Sequence, residues 1–119
     1  MTSQTPSDCL FCKIVAGEIP SDRVAESERS IAFRDINPAA PTHVLVVPRR
    51  HEPTVGALAN ASADDLTDVF RLAARVAEQE GVGEAYRMVV NTGEGAGQTV
   101  FHAHVHVLAG STLSEGRML

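Results

Sequence analysis

His102-Ala103-His104-Val105-His106-Val107-Leu108 alternates imidazole with apolar side chains. A period of two is the signature of a strand, and it predicts that all three rings stand on one face of a sheet. Each ring brings two polar nitrogens that need partners, so a row of them is costly as mere packing. Imidazole changes its protonation near neutral pH, which suits it to nucleophilic, acid–base and metal-binding work. From the spacing alone the row reads as a nucleophilic centre, as a three-histidine metal site or as a satisfied polar strand. Directly upstream, Asn91-Thr92-Gly93-Glu94-Gly95-Ala96-Gly97-Gln98-Thr99 is glycine-rich. Backbone amides in such a loop can cup phosphate oxygens, and a plain hairpin turn is the alternative.

Working outward, the rest of the chain supplies a small α+β domain. Cys9 to Ala16 reads as a short helix ended by Gly17. Val24 to Glu26 and Ile31 to Arg34 read as strands, followed by a turn at Asp35-Ile36-Asn37-Pro38. His43 to Val47 is a β-branched strand stopped by Pro48. Ser62-Ala63-Asp64-Asp65 resembles a capping box. Behind it Leu66, Val69, Phe70, Ala73 and Ala77 share one face of a long helix that ends at Gly81 and Gly83. Tyr86 to Asn91 and Val105 to Leu108 complete five strands. The predicted fold is therefore α+β, a five-stranded antiparallel meander with one long helix and one short N-terminal helix. Residues 1–8 are expected to be a disordered tail, 9–110 the folded domain and 111–119 a C-terminal tail.

Composition narrows the function classes. The 119 residues carry a net charge of −5 and are 44% hydrophobic. One domain with one core fits that length. A surface for nucleic acid polymers is not expected at this charge. No apolar run is long enough for a membrane span, and Met1 to Asp8 has neither a basic nor an apolar region. The expectation is a cytoplasmic protein with no membrane partner.

Cys9-Leu10-Phe11-Cys12 has the spacing of half a tetrahedral zinc site. The alternatives are two small buried thiols or a redox pair, and the redox motif would need a preceding strand that is lacking here. If zinc is the occupant, two further ligands are required. His51, just past a strand end, is one candidate, and one histidine of the row is the other. Gln98 and Thr99 can hydrogen-bond phosphate or leaving-group oxygens. Asp35 is placed to bind ribose hydroxyls or to cap its own turn. Phe11, Ile14, Phe33 and Ile36 are core residues or a base pocket.

With these residues quoted, the chain resembles the histidine triad family, and within it the Hint branch. The resemblance rests on Phe11-Cys12-Lys13-Ile14-Val15-Ala16-Gly17-Glu18-Ile19-Pro20 and on Phe33-Arg34-Asp35-Ile36-Asn37-Pro38 leading into His43. It rests also on Tyr86 to Asn91 and on Gly97-Gln98-Thr99-Val100-Phe101 leading into the histidine row. It covers about Cys9 to Gly110.

The resemblance implies a homodimer whose sheets join. It also implies hydrolysis or transfer at the α-phosphorus of purine nucleoside phosphoramidates or acylated adenylates. By position His104 matches the nucleophile and His106 an α-phosphate contact. Asn91, Gly97, Gln98 and Thr99 match phosphate and leaving-group contacts. Asp35 matches the ribose ligand, and Phe11, Ile14, Phe33 and Ile36 match the base pocket. Cys9, Cys12, His51 and His102 match a structural zinc site, one ion per protomer, with no metal required for the chemistry. The partners implied are a purine mononucleotide or nucleotide conjugate and a second copy of the chain. Two rival functions stand beside this one: a three-histidine zinc hydrolase, and a non-catalytic module that senses nucleotide or binds a partner. The Hint branch usually ends in a longer tail with tryptophan, whereas this chain ends Ser111 to Leu119 and has no tryptophan.

Overall fold

The computed structural model describes residues 7–110. The expected tails at 1–6 and 111–119 lie outside the described residues. Ser7 and Asp8 are described, and they form a turn into the first helix.

Helix α1 spans Leu10–Val15, and the Sγ of Cys9 caps it by accepting the Cys12 N–H at 3.4 Å. Gly17, at φ +78°, turns the chain out of it. Strands β1 (Arg23–Glu26), β2 (Ser30–Arg34) and β3 (Thr42–Pro48) follow. Helix α2 covers Val55–Ala61 and helix α3 Ala63–Gln79. The sheet is completed by β4 (Arg87–Val89) and β5 (Val105–Ala109). All pairings are antiparallel, in the order β1-β2-β3-β5-β4. The last strand therefore enters between β3 and β4. This corrects the expected meander, and it puts the end of the histidine row at an inner position of the sheet.

Ser62 starts α3 as expected, accepting the Asp65 N–H at 3.1 Å. Val69, Ala73 and Ala77 are buried on its inner face together with Leu72 and Val76, while Leu66 and Phe70 pack at the margin. Helix α2 escaped the sequence reading. It is two turns long, contains Gly56, and buries only Leu58, so it shows too little apolar periodicity to register.

The sheet has two different faces. Ala32, Val44, Val46, Val105 and Val107 pack against α3 in one core. The alternate residues Ile31, Phe33, Leu45 and Val47 pack with Cys9, Phe11 and Ile14 of the N-terminal segment in a second core. His43 shares the second face with Leu45, and His106 lies opposite Leu45 in the β3–β5 register. The chemistry-bearing side chains thus stand on the face away from α3.

Leu72 is 2% exposed in the α3 core. Leu72→Ala is expected to cost about 2–5 kcal/mol of stability through lost burial and a cavity. Urea denaturation measures this, and a loss well under 1 kcal/mol would show that α3 is not the main support of the sheet.

Candidate functional site

The histidine row does not lie on one strand. Only Val105–Ala109 is laddered, and the segment 101–104 that precedes it is irregular. The expectation of three rings along one strand face is corrected accordingly. His104 and His106 are neighbours, with ring centroids 5.1 Å apart. His102 is fully buried and its ring stands 5.1 Å from that of His51. The backbone leaves the pleat before these rings are reached, so a period of two no longer fixes their directions.

Each ring is held by a backbone or side-chain partner that settles where its hydrogen lies. A carbonyl only accepts, so the nitrogen facing it carries the hydrogen. His104 Nδ1 donates to the His102 carbonyl at 2.8 Å, which leaves its lone pair on Nε2. His102 Nε2 donates to the Pro48 carbonyl at 2.8 Å, which leaves its lone pair on Nδ1. His43 accepts the Ala39 N–H on Nδ1 at 2.9 Å, so its hydrogen is on Nε2. That hydrogen points to His106 Nδ1 at 2.9 Å, and Asp35 Oδ2 lies 3.4 Å from His43 Nε2. His106 then carries its own hydrogen on Nε2. The His43 contribution was missed in the sequence. Its signal was a polar residue in an otherwise apolar strand, on the same side as Leu45.

Burial sets the charge state of this group. Desolvation pushes His102 and His106 down from the ordinary 6.5 to about 4, and neighbouring imidazoles add to the effect. His104 and His43 are also lowered, chiefly by burial, with Asp35 opposing it in both. The rings are neutral near pH 7, and a neutral ring is what nucleophilic attack requires.

The lone pair of His102 faces a cluster with His51, Cys9 and Cys12. His102 Nδ1 is 3.4 Å from Cys9 Sγ, 3.5 Å from Cys12 Sγ and 3.3 Å from His51 Nδ1. Cys12 Sγ is 3.3 Å from His51 Nδ1. A zinc ion with Zn–S of about 2.3 Å and Zn–N of about 2.0–2.1 Å at tetrahedral angles would hold nitrogens about 3.4 Å apart and sulfur from nitrogen about 3.6 Å. The donor set and its spacing fit that ion. Without metal, burial and the adjacent Cys9 push the Cys12 thiol up to about 12, so the thiolate form requires a cation.

Asp35, His43 and His106 form a second group of possible donors. Here the fit fails at one atom. With the Ala39 N–H aimed at Nδ1, His43 must keep its hydrogen on Nε2, the nitrogen that would have to coordinate. The group is arranged to hold a proton between rings rather than a metal. The three rings of the row do not converge on one point either, because His102 turns to the cysteines. That arrangement removes the geometric basis of a three-histidine metal site.

The glycine loop, read either as a phosphate cradle or as a plain turn, bonds several of its N–H groups internally. Gly93 and Gly97, at φ +85° and +94°, bracket a 3-10 turn at Glu94–Ala96. The N–H groups of Ala96, Gly97 and Gln98 bond carbonyls within the loop. Gln98 is 2% exposed. Its Oε1 accepts the Gly93 N–H at 2.8 Å, and its Nε2 donates to the Pro53 and Val100 carbonyls at 2.7 and 3.0 Å. The structure gives Gln98 the role of a loop clamp, with both amide hydrogens engaged. Thr99 is exposed beside it, and Asn91 is half-buried.

Phe11, Ile14 and Phe33 are brought together in the second core. Phe11 stands edge-on to Phe33 at 5.5 Å and to His104 at 5.2 Å. Ile36 lies apart from them, 91% exposed on the turn after β2. Asp35 holds that turn through Oδ1, which accepts the Asn37 N–H at 2.8 Å, while Oδ2 faces His43. Both readings of Asp35 thus have an oxygen available. A cavity of about 630 Å³ opens between the end of α1 and β1, lined by Ile14, Ile19, Pro20 and Asp22. It reaches none of the histidines.

Comparison with known proteins finds relatives along most of the chain. The family model described as HIT domain matches residues 16–113. The cysteine pair lies before the matched segment. The chain is 43% identical over 107 residues to the purine nucleoside phosphoramidase of Escherichia coli (strain K12), covering 89% of this chain and 90% of that protein. It is 43% identical over 111 residues to the 14 kDa zinc-binding protein of Zea mays, covering 91% and 86%. The solved structure of the HIT family hydrolase from Clostridium thermocellum superposes with a TM-score of 0.89 at 43% identity, covering 96% of this chain and 100% of that one.

The depressed imidazoles predict a pH dependence for the metal-free protein. Between the ordinary 6.5 and about 4 the unfolded chain binds more protons than the folded one. The stability these neutral rings contribute is complete above 6.5 and is lost as pH falls towards 4. A fall in melting temperature of roughly 5 °C or more is expected from pH 7 to 5. A flat profile by calorimetry over that range would contradict the assigned burial of these rings.

Proposed function

The chain belongs to the HIT domain family, and we propose that it hydrolyses purine nucleoside phosphoramidates or acyl-adenylates at the α-phosphorus through a covalent nucleotidyl-His104. The observation that carries this reading is the 2.8 Å bond from His104 Nδ1 to the His102 carbonyl. It leaves a buried neutral ring with its lone pair on Nε2, beside a second imidazole whose Nε2 carries hydrogen. In the first step the Nε2 lone pair bonds phosphorus. The P–N or P–O bond to the leaving group breaks, and the departing atom takes its electron pair and then a proton from solvent. In the second step water attacks phosphorus and gives up a proton to solvent, and the P–Nε2 bond breaks with its electron pair returning to Nε2, freeing the mononucleotide and the neutral ring. Splitting one displacement into two is the gain from a covalent nucleophile.

The remaining roles follow from position. His106 Nε2–H donates to an α-phosphate oxygen, and its ring is steadied by His43 and Asp35. Thr99 and Asn91 contact the phosphate or leaving group. Gln98 and Gly97 hold the loop that presents them. Asp35 takes the ribose hydroxyls, and Phe11, Ile14 and Phe33 form the floor of the base site. The exposed Ile36 is available as its lid, since a large apolar side chain in solvent beside a site is a contact in waiting. Zinc held by Cys9, Cys12, His51 and His102 would be structural, because four protein ligands leave no open position for substrate. The active unit is a homodimer, with the short edge strand β4 as the edge to be covered.

On adenosine phosphoramidate, His104→Ala is expected to lower turnover by at least about a thousandfold while mononucleotide affinity stays within about threefold. Turnover that survives would sink the nucleophile assignment. Binding without turnover in the parent protein would favour the nucleotide-sensing module. Native mass spectrometry of the parent is expected to read two chains with one zinc each. Cys9→Ser is expected to lose that zinc, and full retention would refute the ligand set.

A further inference from the structure

The nucleophile sits on a segment that the sheet does not hold. Residues 101–104 precede β5 and take no part in its ladder. His102 is fully buried and joins this segment to three other parts of the chain. Its Nε2 bonds the Pro48 carbonyl at the end of β3, and its Nδ1 faces Cys9 and Cys12 of the N-terminal segment and His51 of the loop after β3. The next residue is tied to the same loop, since the Ala103 N–H donates to the Glu52 carbonyl at 2.7 Å. The carbonyl of His102 then accepts His104 Nδ1–H, the bond that sets the nucleophile's tautomer.

A second line runs through α1. Phe11 lies between the two cysteines and stands edge-on to both His102 and His104, with centroids 6.0 and 5.2 Å apart. Fixing Cys9 and Cys12 therefore fixes the ring that packs against the nucleophile. Metal-free, the cluster is joined by weak sulfur hydrogen bonds and one imidazole–imidazole contact of 3.3 Å. Metal-loaded, four short bonds tie the three segments at one point.

We propose that the Cys9–Cys12–His51–His102 cluster, when it holds its metal, is the clamp that positions the His104 nucleophile, with His102 as the positioning residue acting through its main-chain carbonyl. This rests on the assignment of His104 as nucleophile and gives the metal a part in alignment, although it touches no reacting atom. A misplacement of about 1 Å is enough to lower such a rate by roughly a hundredfold, so a clamp on this segment bears on kcat. Substrate affinity draws also on Asp35 after β2 and on Phe33 of β2, outside the clamped segments, so it falls less than kcat even though Phe11 belongs to both.

The test uses His51, which contacts the cluster and lies away from the reacting atoms. His51→Ala removes one ligand, and His51→Cys restores a four-ligand set. Both are compared with the zinc-loaded parent and with the parent stripped of zinc by chelation and reloaded. Nitrogen-edited proton NMR reads whether the His104 hydrogen stays on Nδ1, and steady-state kinetics on adenosine phosphoramidate separates kcat from KM. Expected are a loss of the His104 Nδ1–H signal and a kcat lower by about 10–100-fold in His51→Ala and in the stripped protein, with KM changed less than about threefold. Reloaded zinc and His51→Cys are expected to restore both. A folded His51→Ala protein that keeps the Nδ1–H signal and kcat within about twofold of the parent would overturn the proposal. So would loss of the whole fold in both His51→Ala and the stripped parent by circular dichroism, since the metal would then hold the domain rather than the nucleophile. The NMR arm needs no substrate, so a protein without phosphoramidase activity still decides the clamp.

Discussion

The bond from His104 Nδ1–H to the His102 carbonyl, 2.8 Å long, is the constraint on which the site depends. A neutral imidazole has one hydrogen and one lone pair, and the partner of the first decides where the second points. Because the partner is a main-chain carbonyl, the tautomer is fixed by backbone placement. That placement follows from His102 being fully buried against Pro48 and the cysteines. Burial also keeps the ring neutral by desolvating its charged form. One local geometry thus supplies direction and protonation state together.

The sheet makes that geometry possible by separating two tasks. Its α3 face is filled by aliphatic residues from β2, β3 and β5 and supplies most of the burial. The other face carries the second core and the imidazoles. Entry of β5 between β3 and β4 brings His106 against β3, where His43 is already fixed by Ala39. In a simple meander β5 would lie at the sheet edge beside β4, and His106 would have no His43 across from it.

What was legible in the sequence divides along the same line. The five strands, the α3 cap at Ser62 and the α3 inner face at Val69, Ala73 and Ala77 follow from local pattern, and they stand. Cysteine spacing and the position of His51 suggested a zinc site, but the choice of His102 from the row came through the resemblance, because His51 and His102 are far apart in the chain and meet only in the fold. One reading of the site failed for a tertiary reason. The period-two row over-extended the strand, since the rings at 102 and 104 answer to carbonyls and sulfurs instead of to the pleat. The glycine loop read either as a phosphate cradle or as a plain turn, and Gln98 and the loop's own carbonyls take the N–H groups of Gly93, Ala96, Gly97 and Gln98. His43 was read as a strand residue and is one, but a single polar residue in an apolar strand does not say that it will face His106.

The two histidine groups show why residue type alone does not assign chemistry. His102 gives its hydrogen to a carbonyl, so its free lone pair can meet a metal. His43 receives a backbone N–H, so its outward nitrogen must carry hydrogen and can only donate. Each role is set by one main-chain group on the far side of the ring. Reverse either partner and the roles reverse: a carbonyl behind His43 would open a second metal site with Asp35 and His106, and an N–H behind His102 would close the first. The division between a cluster that can hold a metal and a pair of rings that holds a proton is therefore written in backbone polarity around rings of identical composition.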